Sequence, residues 1–356
     1  MSNSRGIGFG AFLVGLGAGW LIFTFIDVTS KTFAWILIIL GAGIVASGVL
    51  RYISPKVPLS GVVSSLSVGL IIALIFTSGL GFIWPWSGPG GPYRYTLDES
   101  RNLKGDALAP NLLFRVENVN GQIDVSTWDR PEYNVDLAIK AQGNTESEAQ
   151  SNLEKVDTTI EENLVQGRLE LVLTISVPRL TWSRVSVNVA VTLPADATVD
   201  LDIQTTNGGI KMEDLTGSML TLSTTNGDVA FDGVEADTIS ASTTNGRISG
   251  SVQAADMTAE TTNGVISLSL PCTRTGSYGL ETTNGNVDVT VVPSGDVGFD
   301  LDASTSSGGA TIDLSGLTYE TSTSRHKVAH TEGYETKPVQ IEIDASTTNG
   351  NVSVGD

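Results

Sequence analysis

The sequence has very few of the residues that build metal centres and disulfide frameworks. Its 356 residues include one cysteine, Cys272, and two histidines, His326 and His330. A single cysteine excludes an intramolecular disulfide and a multi-cysteine metal site. The two histidines are four residues apart, a spacing that places metal ligands on one helical face. Their Ser, Thr and Gly flanks do not favour a helix, so we expect an exposed insertion loop, no metal and no cofactor.

Basic side chains are also scarce, and they are unevenly distributed. The chain has 20 Lys and Arg against 39 Asp and Glu, a formal net charge of −19. Residues 1–95 hold five of the basic groups and one acid, which leaves 15 basic and 38 acidic groups, a net charge of −23, in residues 96–356. A body this acidic repels phosphate backbones, so nucleic acid is not expected as a partner.

Charge is absent from three long apolar runs near the start of the chain, at 7–26, 33–50 and 61–84. Each approaches or exceeds the roughly 20 residues that cross a hydrocarbon core as a helix. Residues 1–84 are therefore predicted to form a three-helix transmembrane region in contact with membrane lipid. Small residues four apart in the first run suit helix packing within this region, or between chains in a homo-oligomer.

The side of the membrane follows from the basic residues that flank the runs. Arg5, Arg51 and Lys56 fall on one side, and Lys31 and Arg94 on the other. Because the more basic side faces the cytoplasm, we expect a multi-pass protein of the cell membrane with an extracytoplasmic acidic body. If Arg101 and Lys104 are also counted, the side that holds the acidic body becomes the more basic one, which reverses the prediction. The Pro- and Gly-rich residues 85–109 are predicted to be a linker.

Internal repetition dominates the rest of the sequence. The tetrapeptide Thr-Thr-Asn-Gly occurs six times, and degenerate copies place Asn120 and Ser307 at the position of its Asn. The predicted structural corners are Asn120, Asn207, Gly208, Asn226, Gly227, Asn245, Gly246, Asn263, Gly264, Asn284, Gly285, Asn349 and Gly350. Between corners, apolar residues recur at every second position, the period of a β-strand.

Units of about 19 residues are too short to bury an apolar face alone, whereas stacked units bury a continuous core. We therefore predict a parallel β-solenoid of about eight coils, with the repeat array at 201–356. Asn and Gly would make each corner because they tolerate positive φ. The same dipeptide suits a two-residue hairpin, so a meander of antiparallel hairpins is the alternative.

Residues 110–200 are predicted to hold the first coil and a β-rich cap. The segment from Thr145 to Lys155 has acids in its first turn and a capping candidate before it, which indicates a short helix. Alternating runs at 169–177 and 185–193 indicate strands. No such cap is evident at the other end, since Asp356 follows Gly350 by six residues. We expect the last coil to be an open layer, kept apart from other copies by charge or available to a partner or a second copy.

The repeated Thr-Thr-Asn-Gly-x-[Ile/Val], preceded by Val187-Asn-Val-Ala-Val-Thr-Leu-Pro194, resembles a bacterial and archaeal family of adhesin-like proteins of unknown function. The likeness covers about residues 110–356 and implies a β-solenoid domain with this corner motif. The first two apolar runs are similar to the membrane region of Lia-type envelope-stress proteins. Neither resemblance implies catalytic residues.

The residues themselves also contain no recognisable catalytic arrangement. Acidic residues such as Asp228, Asp232, Glu235 and Asp237 cluster locally, as in some polysaccharide-degrading β-helices, but no aromatic stripe accompanies them as a sugar platform. Cys272 lacks the basic environment of an activated thiol. We expect no enzyme activity.

Three functions are compatible with this reading. The first is a membrane-anchored, non-enzymatic β-solenoid for cell-surface interaction or envelope architecture, with a protein or surface glycan as partner. The second is an envelope-stress sensor or regulator that acts through membrane partners. The third, a glycan-degrading enzyme, is the least favoured.

Overall fold

The computed structural model describes residues 93–356, which include the compact unit Arg94–Asp356. The predicted membrane-spanning runs at 7–26, 33–50 and 61–84 lie outside the described residues. Within 93–356, no helix has the length and apolar character that crossing a bilayer requires.

The described residues are mainly β, with one short α-helix, which confirms the predicted class. The N-terminal elements are β1 (Tyr95–Asp106), β2 (Asn111–Asn120), β3 (Ile123–Trp128), β4 (Glu132–Gly143), α1 (Glu146–Leu153), β5 (Asp157–Val165), β6 (Arg168–Ser176), a 3₁₀ helix (Arg179–Arg184) and β7 (Val185–Pro194). The repeat elements are β8 (Thr198–Asn207), β9 (Ile210–Glu213), β10 (Thr216–Asn226), β11 (Val229–Asn245), β12 (Ile248–Asn263), β13 (Ile266–Leu270), β14 (Gly276–Asn284) and β15 (Val287–Val291). They are followed by β16 (Val297–Ser307), β17 (Ala310–Asp313), β18 (Leu317–Ser322), β19 (His326–Thr331), a 3₁₀ turn (Tyr334–Thr336), β20 (Val339–Asn349) and β21 (Val352–Gly355).

Strands that end at a corner form one face of the stack, here called face 1. Its pairing order is β5, β6, β2, β8, β10, β11, β12, β14, β20, β16, β19 and β18. Strands that follow a corner form face 2, in the order β1, β4, β7, β3, β9, β11, β12, β13, β15, β21 and β17. The long strands β11 and β12 contribute to both faces.

All pairings between corner layers are parallel, and they align the corners. The column runs through Asn120, Asn207, Asn226, Asn245, Asn263, Asn284, Asn349 and Ser307. This register fits eight stacked coils and excludes the hairpin meander, in which neighbouring strands would be antiparallel. A ninth layer, β6 with β7, lies beside the first coil, and the Arg179–Arg184 helix takes the place of its corner.

The two faces share one core. The apolar residues two positions apart on either side of each corner are buried, as the strand period predicts, for example Leu220, Leu222, Val229 and Phe231. Side chains between them point outward, and most are polar. Tyr278 is buried in this core, and its hydroxyl donates to the Ala254 carbonyl oxygen at 3.2 Å.

The predicted cap is present, but the linker prediction is wrong over much of its length. Residues 95–106 form β1, an edge strand that pairs antiparallel with β4. The predicted helix is α1, and the hydroxyl of Thr145 caps it by accepting from the Glu148 N–H at 3.1 Å. The Asn144 backbone N–H and the Arg184 guanidinium stabilise the Glu148 carboxylate and lower its pKa.

The prediction of an open last coil is also wrong. Residues 339–355, as β20 and β21, lie between the β14–β15 layer and the β16–β17 layer, so the coil that comes last in sequence is the second from the end of the stack. Beyond β16, the antiparallel hairpin of β18 and β19 covers the end of face 1. The histidines therefore lie on strand β19 and not in an insertion loop. The chain can place its last coil inside the stack because every coil carries the same burial pattern.

Candidate functional site

The corner column is a ladder of side-chain amides. Each Asn from the second corner to the seventh donates its Nδ2–H to the Oδ1 of the Asn in the preceding layer, at 2.7–2.9 Å. At the first corner, Asn120 instead donates to the backbone oxygens of Trp182 and Val185. The amides therefore bond mainly to one another and to the backbone.

A second ladder lies just inside the first. The buried Thr two positions before each corner donates to the carbonyl oxygen of the corner Gly in the neighbouring layer, at 2.8–3.0 Å. The donors are Thr224, Thr243, Thr261, Thr282, Thr305 and Thr347. Thr205 differs, since its buried hydroxyl has no hydrogen-bond partner among the described residues. Asn118, at the equivalent place in the first coil, donates to the Val187 oxygen at 2.7 Å.

Most of the corner glycines are required for a reason other than the one predicted. Among the predicted corner residues only Gly350 has a positive φ, at +155°, so positive φ explains neither the corner Asn residues nor the other glycines. A Cβ on Gly246 would lie 1.9 Å from the Gly227 carbonyl oxygen, and Gly208, Gly227, Gly264, Gly285 and Gly350 are equally close to a neighbouring layer, at 1.7–2.0 Å. The corners therefore need glycine because successive backbones approach too closely for any side chain.

These contacts explain every predicted corner residue as a structural element. What remains available to a partner is the outward surface of the two faces, including an open region near the end of the stack beyond β14. There a groove of about 390 Å³ is lined by Glu281, Ser304 and Ser346 from face 1 and by Arg325 and His326 from the β18–β19 hairpin. Its walls offer hydroxyl, carboxylate, guanidinium and imidazole groups, which suit a polar ligand.

Further carboxylates lie beside this groove, on the same two strands. Asp302 of β16 lies directly opposite Asp344 of β20, and Asp300 lies opposite Glu342. Partial burial raises the pKa of Asp344, and the neighbouring charges of Asp302, Glu281 and Glu342 raise it further. His326 lies at the rim, where its Nε2 is 3.0 Å from Asp302 Oδ1.

The other residues considered for chemistry lie apart from one another. His330 Nδ1 is 3.5 Å from Glu320 Oε1, on the hairpin. Within residues 93–356, no three His, Cys, Asp or Glu side chains are arranged to hold a metal ion. Cys272 is buried at 1 % exposure, and burial raises the pKa of its thiol to about 11. A thiol in this state is a poor nucleophile.

Sequence reasoning missed the groove because the groove depends on the order of the layers. Glu281 and Ser346 are 65 residues apart, yet they face each other across β14 and β20. The available signal was the interval of 42 residues between Ser307 and Asn349, twice the repeat length, which holds the hairpin.

Comparison with known proteins agrees with the resemblance expected from the repeat. A family model described as Toastrack DUF4097 matches residues 122–355. No curated protein sequence matches the chain. The Lia-type resemblance concerns residues outside the described part of the chain.

Several solved structures overlap with the described residues. One is a putative cell adhesion protein from Clostridium sporogenes, with 9% identity over 73% of this chain and 99% of the other, at a TM-score of 0.37. A putative adhesin from Bacteroides fragilis is 11% identical over 72% of this chain and 96% of the other, at a TM-score of 0.33. A putative adhesin from Parabacteroides distasonis is 12% identical over 72% of this chain and 97% of the other, at a TM-score of 0.28. At these TM-scores the likeness assigns neither a ligand nor a role to this chain.

Proposed function

This chain belongs to the Toastrack DUF4097 family, and we propose that it is a membrane-anchored, non-enzymatic β-solenoid that displays the groove near β14, β20 and β16 to a partner at the cell surface. The apolar runs at 7–26, 33–50 and 61–84 would form the multi-pass anchor, and the acidic stack would lie outside the cytoplasm.

The observation that carries this proposal is the placement of the groove relative to β1. The strand that continues from the apolar part of the chain, β1, is the first strand of face 2, whereas β21 and β17 are its tenth and eleventh. At about 4.8 Å between neighbouring strands, the groove lies roughly 40 Å along the stack from β1. The groove and the strand at which the described unit begins are therefore separated by most of the length of the stack.

The groove itself favours binding over catalysis. The His326 imidazole contacts Asp302, and within the described residues no serine or threonine hydroxyl hydrogen-bonds to either imidazole ring. A nucleophile and its base need that contact to transfer a proton. The hydroxyl, carboxylate and guanidinium groups around this groove are sufficient to hold a polar surface of a protein or a glycan.

The first experiment locates the stack. Asp356 is exposed, so Asp356→Cys in the full chain provides one accessible thiol for a membrane-impermeant maleimide. The buried Cys272 remains in place as an internal control that reacts only after denaturation. Labelling of intact cells is expected. Labelling only after lysis would refute surface display and favour the alternative, an intracellular regulator of envelope stress.

The second experiment tests the groove. Cells that carry Arg325→Ala together with His326→Ala are expected to lose adhesion to the surfaces that the wild type binds. Arg247→Ala is the matched control, because Arg247 is an exposed cation elsewhere on the stack. Adhesion equal to wild type in the groove variant, with normal surface labelling, would contradict the proposed role of this groove.

A further inference from the structure

The end of the stack is attached to the rest of the domain in an unusual way. Strands β16, β17, β18 and β19 pair with one another and with β20 and β21 only, and no strand among them pairs with β14, β15 or any earlier described strand. Residues 297–356 therefore form one contiguous block, here called the terminal block. Its strands meet the rest of the stack at a single pair of seams, β14 with β20 and β15 with β21.

One short connection joins the terminal block to the preceding strand. It consists of residues 292–296, Val-Pro-Ser-Gly-Asp, all of which are exposed. Gly295 has a φ of +101°, and nothing lies within 4 Å of the place that a Cβ would occupy. The Val292 N–H bonds to the Leu270 oxygen at 2.8 Å, whereas Asp296 Oδ1 accepts from Lys337 Nζ, within the terminal block, at 2.7 Å. Five residues reach at most about 17 Å when extended, enough to carry the block to an adjacent copy of the chain.

The seam that holds the block resembles every other seam between layers. On the outer side of face 1, Ser277 lies opposite Glu342, Gly279 opposite Asp344 and Glu281 opposite Ser346, so no two like charges are directly paired across it. The directly opposed carboxylates, Asp302 with Asp344 and Asp300 with Glu342, lie inside the block, between β16 and β20. The seam consists of parallel backbone pairing and the same Asn, Thr and apolar contacts as every other layer, so a second copy of the chain can supply it equally well.

From this topology we propose that the terminal block exchanges between two copies of the chain, so that residues 297–356 of each copy complete the stack of the other. Exchange through one hinge recreates every contact of the seam, which makes it a low-cost route to a dimer. The partner is a second copy of this chain, and each copy contributes strands β20 and β21 to the groove that contains Glu281 of the other. The proposal does not depend on the function proposed above.

Cysteine pairs across the seam between β14 and β20 test whether the terminal block exchanges between chains. Glu281 and Ser346 are register partners on the outer side of β14 and β20, and neighbouring strands hold Cα atoms at a distance that a disulfide spans. Two differently tagged full-length chains, one with Glu281→Cys and one with Ser346→Cys, are expressed together and oxidised in membranes with oxidised glutathione. Exchange predicts a disulfide-linked heterodimer on a non-reducing denaturing gel.

The matched control uses Ser223→Cys in one chain and Ser242→Cys in the other. These are register partners at the same place in the repeat, but β10 and β11 both lie outside the terminal block. We expect the seam pair to give at least tenfold more heterodimer than this control. A yield equal to the control would overturn the proposal, provided that Glu281→Cys and Ser346→Cys in one chain form an intrachain disulfide. If that double variant does not oxidise, Asp288→Cys with Ser353→Cys tests the seam on face 2 with the same two outcomes.

Discussion

Replacing Gly246 with alanine tests the close stacking of the corners. The new Cβ would lie 1.9 Å from the Gly227 oxygen, whereas real Cβ atoms essentially never come within 3.0 Å of another heavy atom. The two layers would have to separate locally by about 1.1 Å. Because neither contacting atom belongs to a flexible side chain, the strain cannot be relieved by a change of rotamer.

The loss of stability in Gly246→Ala can be calculated from the hydrogen bonds that cross this corner. Separation would stretch the bonds from Thr243 Oγ1 to the Gly227 oxygen, at 2.9 Å, and from Asn245 Nδ2 to Asn226 Oδ1, also at 2.9 Å. With roughly 0.5–1.5 kcal/mol for each bond and about 1–3 kcal/mol for overpacking, we expect the free energy of unfolding to fall by about 2–6 kcal/mol.

Gly279→Ala is the matched control, because its Cβ would meet only the Met257 oxygen at 3.9 Å. We expect this control to be neutral or to stabilise by a few tenths of a kcal/mol through the lower entropy of the unfolded chain. Urea unfolding of both variants, followed by circular dichroism, measures the difference. Equal stability of Gly246→Ala and Gly279→Ala would refute the close-approach explanation for the corner glycines.

Three further predictions concern individual side chains of the stack. Thr243→Val removes the hydrogen bond to the Gly227 oxygen and should lower the free energy of unfolding by about 1 kcal/mol. Thr205→Val should be neutral or stabilising, because the Thr205 hydroxyl has no partner among the described residues. Equal losses of stability in thermal melts of the two variants would contradict the role of the threonine ladder. The pKa of Asp344 is raised above its ordinary value of 3.8 in the native state, so the free energy of unfolding should fall as the pH rises from 3.8 through the raised pKa. Asp344→Asn should therefore stabilise the protein at pH 7 in urea titrations, and this advantage should disappear below about pH 3.8. Cys272, with its pKa raised to about 11, should resist iodoacetamide at pH 8 until the protein is unfolded, and rapid alkylation of the native protein would show that the thiol is not enclosed.

The layers could be predicted from the sequence because their period is local. Each coil has to bury alternate residues on both sides of its corner, so Leu220, Leu222, Val229 and Phe231 reveal the stacking without any long-range information. The edge strand β1 could not be predicted in this way. None of its side chains is fully buried, so selection for burial leaves only a weak apolar alternation at Leu97 and Leu103.

The order of the layers was not predictable, because it depends on contacts between distant parts of the chain and not on the local period. A coil with the standard pattern fits equally well between any two others, so the pattern does not say that Asn349 stacks on Asn284 and precedes Ser307. Because the groove is built across this out-of-order seam, none of its lining residues could be grouped from the sequence. The reason for the corner glycines was not predictable either. Asn-Gly is frequent in turns, which suggests a role in turn conformation, whereas the clash with a neighbouring layer exists only once the layers are stacked.

The two ends of the corner column bear on how copies of this chain can associate. At one end, Asn120 bonds to the backbone of the Arg179–Arg184 segment, so the ladder stops against the cap. At the other end, Ser307 replaces Asn, the hairpin of β18 and β19 covers face 1, and the terminal strand of face 2, β17, has only four residues. Short and covered edges of this kind oppose end-to-end stacking. The seams at β14–β20 and β15–β21 differ, because both sides carry full strands that are already complementary. Association through these seams requires opening of the hinge and creates no new surface, so exchange of the terminal block is favoured over growth of the stack from its ends.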